Sequence, residues 1–247
     1  MNCSALLPVI VALLVSLAWA PAGEFRKSYF EATKPRAWSE YALTAGSRSK
    51  AIFRYQRLQN IGGRIVIELT ITTSIAPGKS SQSKNTYVMS SNFDLGRDGL
   101  SFGKFIEKMS MSSSGMDMQV DDATLNQIRQ AEKDFRGGVT FEKTEKMDGR
   151  TCDRYSYSLR TRGPVPTIET GTLWLSDSVP FAIVRQVAEV FRPNGTKLSS
   201  FVMQLRDSGA STSSPASLPS RPPRNAATRL LLSDLERGSW RLLRTAY

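Results

Sequence analysis

This sequence predicts a mainly β, α+β fold: an antiparallel sheet built of successive hairpins, with one helix between its two halves. Three observations carry that. Between Val139 and Leu205 five short strand-like runs are separated by Asp148-Gly149, Gly163-Pro-Val-Pro166, Asp177-Ser-Val-Pro180 and Asn194-Gly195, spaced as a meander requires. From Arg64 to Ile75, Ile65, Ile67, Leu69, Ile71 and Ile75 share one parity, while Arg64, Glu68, Thr70 and Thr72 share the other. Such a strand buries one face and wets the other. Asp122 to Phe135 alone in the main body repeats apolar residues at a strong helical spacing.

In chain order, Glu24 to Ala32 is expected as a short helix with Phe25, Tyr29 and Ala32 on one side, ended by Lys34-Pro35. Trp38 to Ala45 reads as the first strand. Ala51 to Leu58 and Arg64 to Ile75 form a hairpin through Gly62-Gly63, with Ala51, Phe53 and Tyr55 as the matching apolar row. Ala76 to Ser83 reads as a polar loop, Asn85 to Ser90 as a strand, and Asn92 to Gly103 as irregular. Phe105, Met109 and Met111, then Met116, Met118 and Val120, alternate with polar residues and make a methionine-faced hairpin. Thioether chains suit either an adaptable lipid-binding surface or ordinary core filling. Asp121-Asp122 caps the helix, with Leu125, Ile128, Ala131 and Phe135 inward and Gly137-Gly138 closing it.

The strand Phe181 to Phe191 reads differently from its neighbours. Phe181, Ile183, Val187 and Phe191 fall on one parity and Ala182, Val184, Ala188 and Val190 on the other. Both faces are apolar, so it is expected to be covered on both sides.

Four regions follow from composition: a signal peptide at 1–22, a single sheet domain at 23–209, a Ser/Pro/Arg-rich linker at 210–224, and a tail at 225–247. Ala5 to Ala20 is apolar and uncharged and leads into Ala18-Trp19-Ala20 and Ala20-Pro21-Ala22, sites of the kind a signal peptidase reads. Cleavage after Ala22 avoids leaving Pro21 at the new terminus; after Ala20 is the alternative, and an uncleaved anchor the other reading of the run. The protein is therefore expected to be exported, to a periplasm or beyond. The tail sets Leu230, Leu231, Leu232, Leu235, Trp240, Leu242 and Leu243 among arginines, which suits an anionic membrane surface, a docked helix or an unstructured end.

Once the leader is removed only Cys152 remains, so no disulfide can form within the chain and the core alone must hold the sheet. The net charge of +11 is spread along the chain: residues 21–210 carry 27 Lys+Arg against 20 Asp+Glu, and residues 211–247 carry 6 against 2. That distribution attracts anionic envelope components without choosing one, and lacks the basic, aromatic-interleaved stripe of a nucleic-acid binder.

The chain contains no histidine. That removes Ser-His-Asp and Cys-His catalysis, imidazole proton shuttles and the usual zinc sites. No cofactor and no metal are expected. Gly78-Lys79-Ser80 lacks the earlier glycine of a phosphate loop, with Thr73 in its place. Ser81 to Lys84 and Ser101 to Lys104 fit Ser-x-x-Lys without its companion motifs. Asp117, Asp121 and Asp122 lack a calcium-loop pattern and read as a cap with solvated neighbours.

The run Cys152-Asp-Arg-Tyr-Ser-Tyr157, Gly171-Thr-Leu-Trp-Leu-Ser176, Val179-Pro180, Val184 to Val190 and Phe201 to Gly209 resembles the second half of exported bacterial envelope proteins of the LolA/LppX/RseB-like class. The resemblance covers residues 139–209, extends over 38–120 by strand pattern only, and leaves out the tail. It implies a strongly curved antiparallel sheet, an open half-barrel with one or two helices packed on its concave face. Well-known members of that class bind acyl chains or lipoproteins there. No lipoprotein carrier's working residues are matched one by one, so the resemblance brings the fold and not that activity.

Two functions are thus expected from the sequence. One is a non-enzymatic module for a lipid, lipoprotein or other apolar ligand, with Met109, Met111, Met116, Met118, Tyr155, Trp174, Phe181 and Ile183 as its contacts. The other is an envelope structural or protein-interaction module with a packed core and no ligand. The leader assignment makes a direct prediction: N-terminal sequencing of the exported protein begins at Gly23, or at Pro21 if the upstream site is cut.

Overall fold

The computed structural model describes residues 27–45, 49–76, 79–98, 103–113, 115–133, 136–160 and 166–210. The leader, the tail and all of the linker but Ala210 lie outside the described residues.

One antiparallel sheet of eleven strands runs through the described chain, in the order β6-β5-β4-β3-β2-β1-β11-β10-β9-β8-β7. Its strands are β1 (Ala37–Ala45), β2 (Ser49–Arg57), β3 (Val66–Ala76), β4 (Lys79–Met89), β5 (Ile106–Ser113), β6 (Met116–Gln119), β7 (Arg136–Met147), β8 (Arg150–Arg160), β9 (Ile168–Leu175), β10 (Ile183–Phe191) and β11 (Lys197–Ala210). The order is two sequential meanders joined back to back by the pairing of β1 with β11. A short helix α1 (Leu95–Asp98) precedes β5, and α2 (Asp122–Lys133) connects β6 to β7.

That connection dictates curvature. β6 and β7 are the two edges, and eleven strands laid flat would separate them by about 48 Å. The chain crosses from Gln119 to Arg136 in 16 residues, 12 of them in α2. The helix spans about 18 Å and the other residues at most about 3.5 Å each, roughly 32 Å together. The sheet must therefore bend until its edges approach, and it remains open, as the half-barrel expectation requires.

α2 starts where Asp121 accepts a hydrogen bond from the Thr124 amide (2.8 Å) and buries Leu125. Arg129 then donates to the carbonyls of Ile106 (2.8 Å) and Glu107 (3.2 Å), fastening the helix to the start of β5. The main core lies on one side of the sheet and draws on both meanders, from Tyr41, Phe53, Ile67 and Leu69 to Tyr155, Leu173, Ile183 and Met203.

The structure corrects several local expectations. Instead of a helix at 24–32, the described part of that segment is a 3-10 turn, Lys27–Phe30. Tyr29 and Phe30 are sequence neighbours and both bury, which one helix face cannot arrange. The polar loop expected at 76–83 is mostly strand, because Ser80, Ser81, Gln82 and Ser83 pair with Ser74, Thr73, Thr72 and Ile71. Ladder bonds on that hairpin outweigh weak strand propensity. Gly137 and Gly138 do not close the helix; they lie in β7 opposite Leu159 and Ser158.

In β10 a bulge between Ile183 and Arg185 shifts the parity. Ile183 then shares the core side with Ala188 and Val190, while Val184 and Val187 pack in a second, smaller cluster with Cys152, Trp174 and Val179. Both sides are covered, as expected, but with a different division of residues.

Gly171 marks the tightest approach in the sheet. A Cβ there would meet the Val187 carbonyl oxygen at 2.3 Å and the Tyr157 hydroxyl at 2.7 Å. Gly171→Ala is expected to destabilise the protein by about 2–3 kcal/mol in urea denaturation, since relief requires backbone to move.

Candidate functional site

The concave side of the sheet divides into a filled centre and an open rim. At the centre Tyr41, Ile67, Leu69, Leu175 and Met203 are fully inaccessible, and Phe53 and Ile183 are 1% exposed. Side chains, not solvent, occupy the middle of the curve.

The N-terminal segment closes one end. Tyr29 donates to the Asp153 carboxylate and lies 3.0 Å from the Tyr155 hydroxyl; Thr144 donates to the other Asp153 oxygen at 2.5 Å. The Thr33 hydroxyl accepts the Phe181 amide (2.6 Å), and Arg57 donates to the Thr33 carbonyl (2.7 Å). Ser39, wholly buried, donates to the Pro180 carbonyl at 2.6 Å. Phe181 and Ala182 both have φ near +60°, a left-handed conformation that non-glycine residues adopt only when surroundings enforce it. Here Thr33, Ser39 and the Ser176–Ala182 backbone bond (2.8 Å) enforce it.

Six tyrosines, Tyr29, Tyr41, Tyr55, Tyr87, Tyr155 and Tyr157, are buried on this side. Burial holds the phenols of Tyr41, Tyr55 and Tyr87 well above their usual range, with neighbouring hydroxyls adding to the effect at Tyr55. They remain neutral at any physiological pH.

Across β8, β9 and β10, Gln186 donates to the Tyr157 hydroxyl (2.7 Å) and Tyr157 donates to Glu169 (2.8 Å). The ring of Tyr157 passes over Gly171, the one residue type that leaves it room. Burial pushes the Glu169 carboxyl up to about 7, against the opposing hydrogen bond from Tyr157.

The rim is apolar and accessible. Met109 is buried, but its neighbours on the same side, Met111 and Met116, are 37% and 57% exposed, and Met118 is half-buried. Register fixes their common side: Met111 pairs with Met118, and Ser113 with Met116. On the opposite edge Phe141 is 49% exposed and packs edge-on against Tyr155 at 5.6 Å.

Of the eight residues expected to contact a ligand, Met109, Tyr155, Phe181 and Ile183 share the main core, and Met111, Met116 and Met118 form the rim. Trp174 stands apart from all of them. It lies between the inward-facing Leu173 and Leu175, so its indole points to the convex side, in the cluster with Cys152 and Val184. There Arg154 and Arg185 flank the ring at 5.4 and 5.5 Å, and its N–H donates to Glu145 at 2.7 Å. Cys152 is fully buried beneath it, and burial raises its thiol above the usual range, which suits packing and not reactivity.

Sequence reasoning passed over Asn85, Tyr157, Glu169 and Gln186. The available signal was parity: Glu169 falls in step with Leu173 and Leu175, and Asn85 with Tyr87 and Met89, polar residues at core positions. Among the described residues no cluster of three or more His, Cys, Asp or Glu could hold a metal ion.

No protein-family model matches the chain. No curated protein matches it either. Solved structures similar to it include one assigned as a lipoprotein from Parabacteroides distasonis, at 12% identity and a TM-score of 0.36 over 75% of this chain and 100% of that one. Another, assigned as an exported protein with a YmcC-like fold from Bacteroides fragilis, has 14% identity and a TM-score of 0.33 over 72% and 99%. MucB has 10% identity and a TM-score of 0.36; 77% of this chain aligns, spanning 58% of MucB.

The Glu169 carboxyl gives a signed pH dependence. In the unfolded chain it ionises near its ordinary value of 4.5, and in the folded protein only near 7. Between those values the folded state holds a proton that the unfolded state has lost, so stability falls as pH rises through this window and levels off above it. The loss should be roughly 3 kcal/mol. Glu169→Gln keeps an acceptor for Tyr157 and removes the titration; the wild-type-minus-variant difference, measured by urea denaturation from pH 4.5 to 8, should carry that slope.

Proposed function

We propose that this chain is an exported, non-enzymatic envelope protein that binds a lipid or other apolar ligand along the concave rim of its sheet. The observation that carries the reading is the rim itself: Met111, Met116 and Met118 continue the core side of β5 and β6 past the point where side chains cover it. Apolar side chains left open in a contiguous row beside a buried core often mark an interaction surface. Met side chains adapt to ligands of varied shape. Phe141 offers a second apolar contact from the other edge.

The leader and the net charge of +11 support an address outside the cytoplasm, against anionic envelope components. The basic tail at 225–247 would add attraction to an anionic membrane surface. Lack of histidine removes the commonest catalytic apparatus and supports a non-enzymatic role.

A second reading is favoured by the filled centre. With Tyr41, Leu69 and Met203 inaccessible, an envelope protein-interaction module needs no internal ligand and would use the same rim toward a protein partner. Native mass spectrometry of the protein isolated from its own envelope separates the two. A co-purified lipid-sized adduct is expected, reduced at least about fivefold when Met111, Met116 and Met118 are changed together to Ser. A bare chain that instead retains a protein partner would replace the first reading with the second.

A further inference from the structure

The two ends of the sheet differ in charge. At one end the chain turns from β1 to β2, β3 to β4, β5 to β6, α2 to β7, β8 to β9 and β10 to β11. In the described turns there, and within three residues of a strand's end, lie Lys50, Lys79, Arg136, Arg160, Arg192 and Lys197, against Asp117, Glu189 and the buried Glu169. α2 ends there with Glu132 and Lys133, whose charges cancel. The stretches between these strands that lie outside the described residues contain Arg48, Arg162 and Asp134, so the excess of cations does not depend on them. The opposite end mixes its signs. Its turns hold Asp94, Asp98, Asp121, Asp122, Asp148 and Asp177 against Arg64, Arg97 and Lys104, and with the strand ends and the Lys27 to Arg36 segment the balance there is nearly even.

Register sets two hairpins of the basic end beyond their neighbours. Ala45 stands opposite Phe201, so Lys197 to Ser200 and the turn at Arg192 run past the end of β1. Ser83 stands opposite Ser113, so Lys79 to Gln82 run past the end of β5. Each overhang is about 13 Å. Arg160 is exposed, and Lys197 is half-exposed, sharing Glu189 at 2.5 Å. Apolar side chains open at the same end. Met111, Met116 and Leu198 lie within three residues of a strand's end here, Met116 at 57% and Leu198 at 43% exposed, while Phe141 lies further along β7 and Ile61 at the opposite end. Cations set among open apolar side chains fit an anionic bilayer, which takes both. A soluble polyanion would use the cations and leave Met116 and Leu198 wet.

We propose that this end of the sheet docks on an anionic lipid bilayer, with the β3 to β4 and β10 to β11 tips on the head groups and the methionine rim opening toward the membrane. Charge at the far end contributes little. The nine residues of β2 span roughly 30 Å, about three Debye lengths at 0.1 M salt, so the bilayer senses the local excess and not the net charge of +11. Ala210 ends β11 at the far end, so the basic tail departs from there and the docking surface is distinct from it. The inference rests on charge and exposure and not on the ligand reading, to which it adds a source, the bilayer.

Sedimentation of the exported chain with vesicles at about 0.1 M salt tests it. Binding to phosphatidylcholine vesicles containing about one-third phosphatidylglycerol should be at least about tenfold tighter than to phosphatidylcholine alone. One basic residue at an anionic surface is worth roughly fivefold, so Lys79→Gln, Arg160→Gln and Lys197→Gln together should weaken it at least about twentyfold. Lys104→Gln, Lys108→Gln and Lys146→Gln, the same change of net charge at the far end, should stay within about twofold. Met116→Ser with Leu198→Ser should cost about fivefold on vesicles and leave retention on immobilised heparin unchanged. No preference for anionic vesicles, equal loss from the two triple variants, or binding that survives the first of them would overturn docking by this end. Vesicle binding indifferent to Met116 and Leu198 would replace the bilayer by a soluble polyanion. If circular dichroism shows that the first triple variant does not fold, Lys79→Gln and Arg160→Gln decide singly, each expected to cost about threefold to fivefold.

Discussion

The pairing of β1 with β11 is the contact on which the rest depends. It runs from Ala37 opposite Ala210 to Ala45 opposite Phe201, joining segments about as distant in the described chain as two segments can be. Without it there would be two meanders, each with a free apolar face and two exposed edges. With it there is one sheet whose edges are β6 and β7, and α2 must then draw those edges together. A single bulge, between Glu40 and Tyr41, keeps Tyr41, Leu43 and Ala45 on the core side with Leu205, Met203 and Phe201. The same seam gathers Ser39, Thr33 and the strained Phe181-Ala182 corner. The edge β7 is protected differently: Glu142, Lys143, Glu145 and Lys146 make it a poor template for a stray strand.

The interior combines apolar packing with hydrogen-bonded polar groups, while the Tyr41 hydroxyl, Asn85 Oδ1 and Gln186 Oε1 are buried without a partner. The hydroxyl of Tyr29 is tied to Asp153, and that of Tyr157 links Glu169 to Gln186. Such groups fix side-chain positions, because each would cost free energy if its partner moved away. The filled centre and the accessible rim therefore have different capacities. The centre resists rearrangement, whereas the methionine edge can adapt without breaking a buried hydrogen bond. That difference leaves the rim, and not the depth of the curve, as the apolar surface open to contact.

Strand identity was legible wherever a period of two ran unbroken. β1, β2, β3, β5, β6 and the five strands of the second meander all appear where alternation and turn residues put them, and α2 appears behind its Asp121 cap. Legibility failed where the deciding contact was remote. The Ser-rich start of β4 is a strand because β3 holds it, and the segment at Lys27–Phe30 is a 3-10 turn because two adjacent aromatics are both drawn into the core. In β10 a bulge invisible in the sequence set Val190 beside Ile183 and Val187 beside Val184, the reverse of what unbroken alternation gives.

What the sequence by itself determined is the class of structure and the limits of its chemistry: antiparallel hairpins, one capped helix and no histidine. Those follow from local periodicity and residue type. Tertiary structure alone decided that Trp174 faces away from Tyr155, that Asn85 is buried opposite Met111, and that Met116 is open while Met109 is closed. Alternation tells which residues share a side, but which side is covered, and how far along the strand the cover reaches, depends on strands and helices distant in sequence.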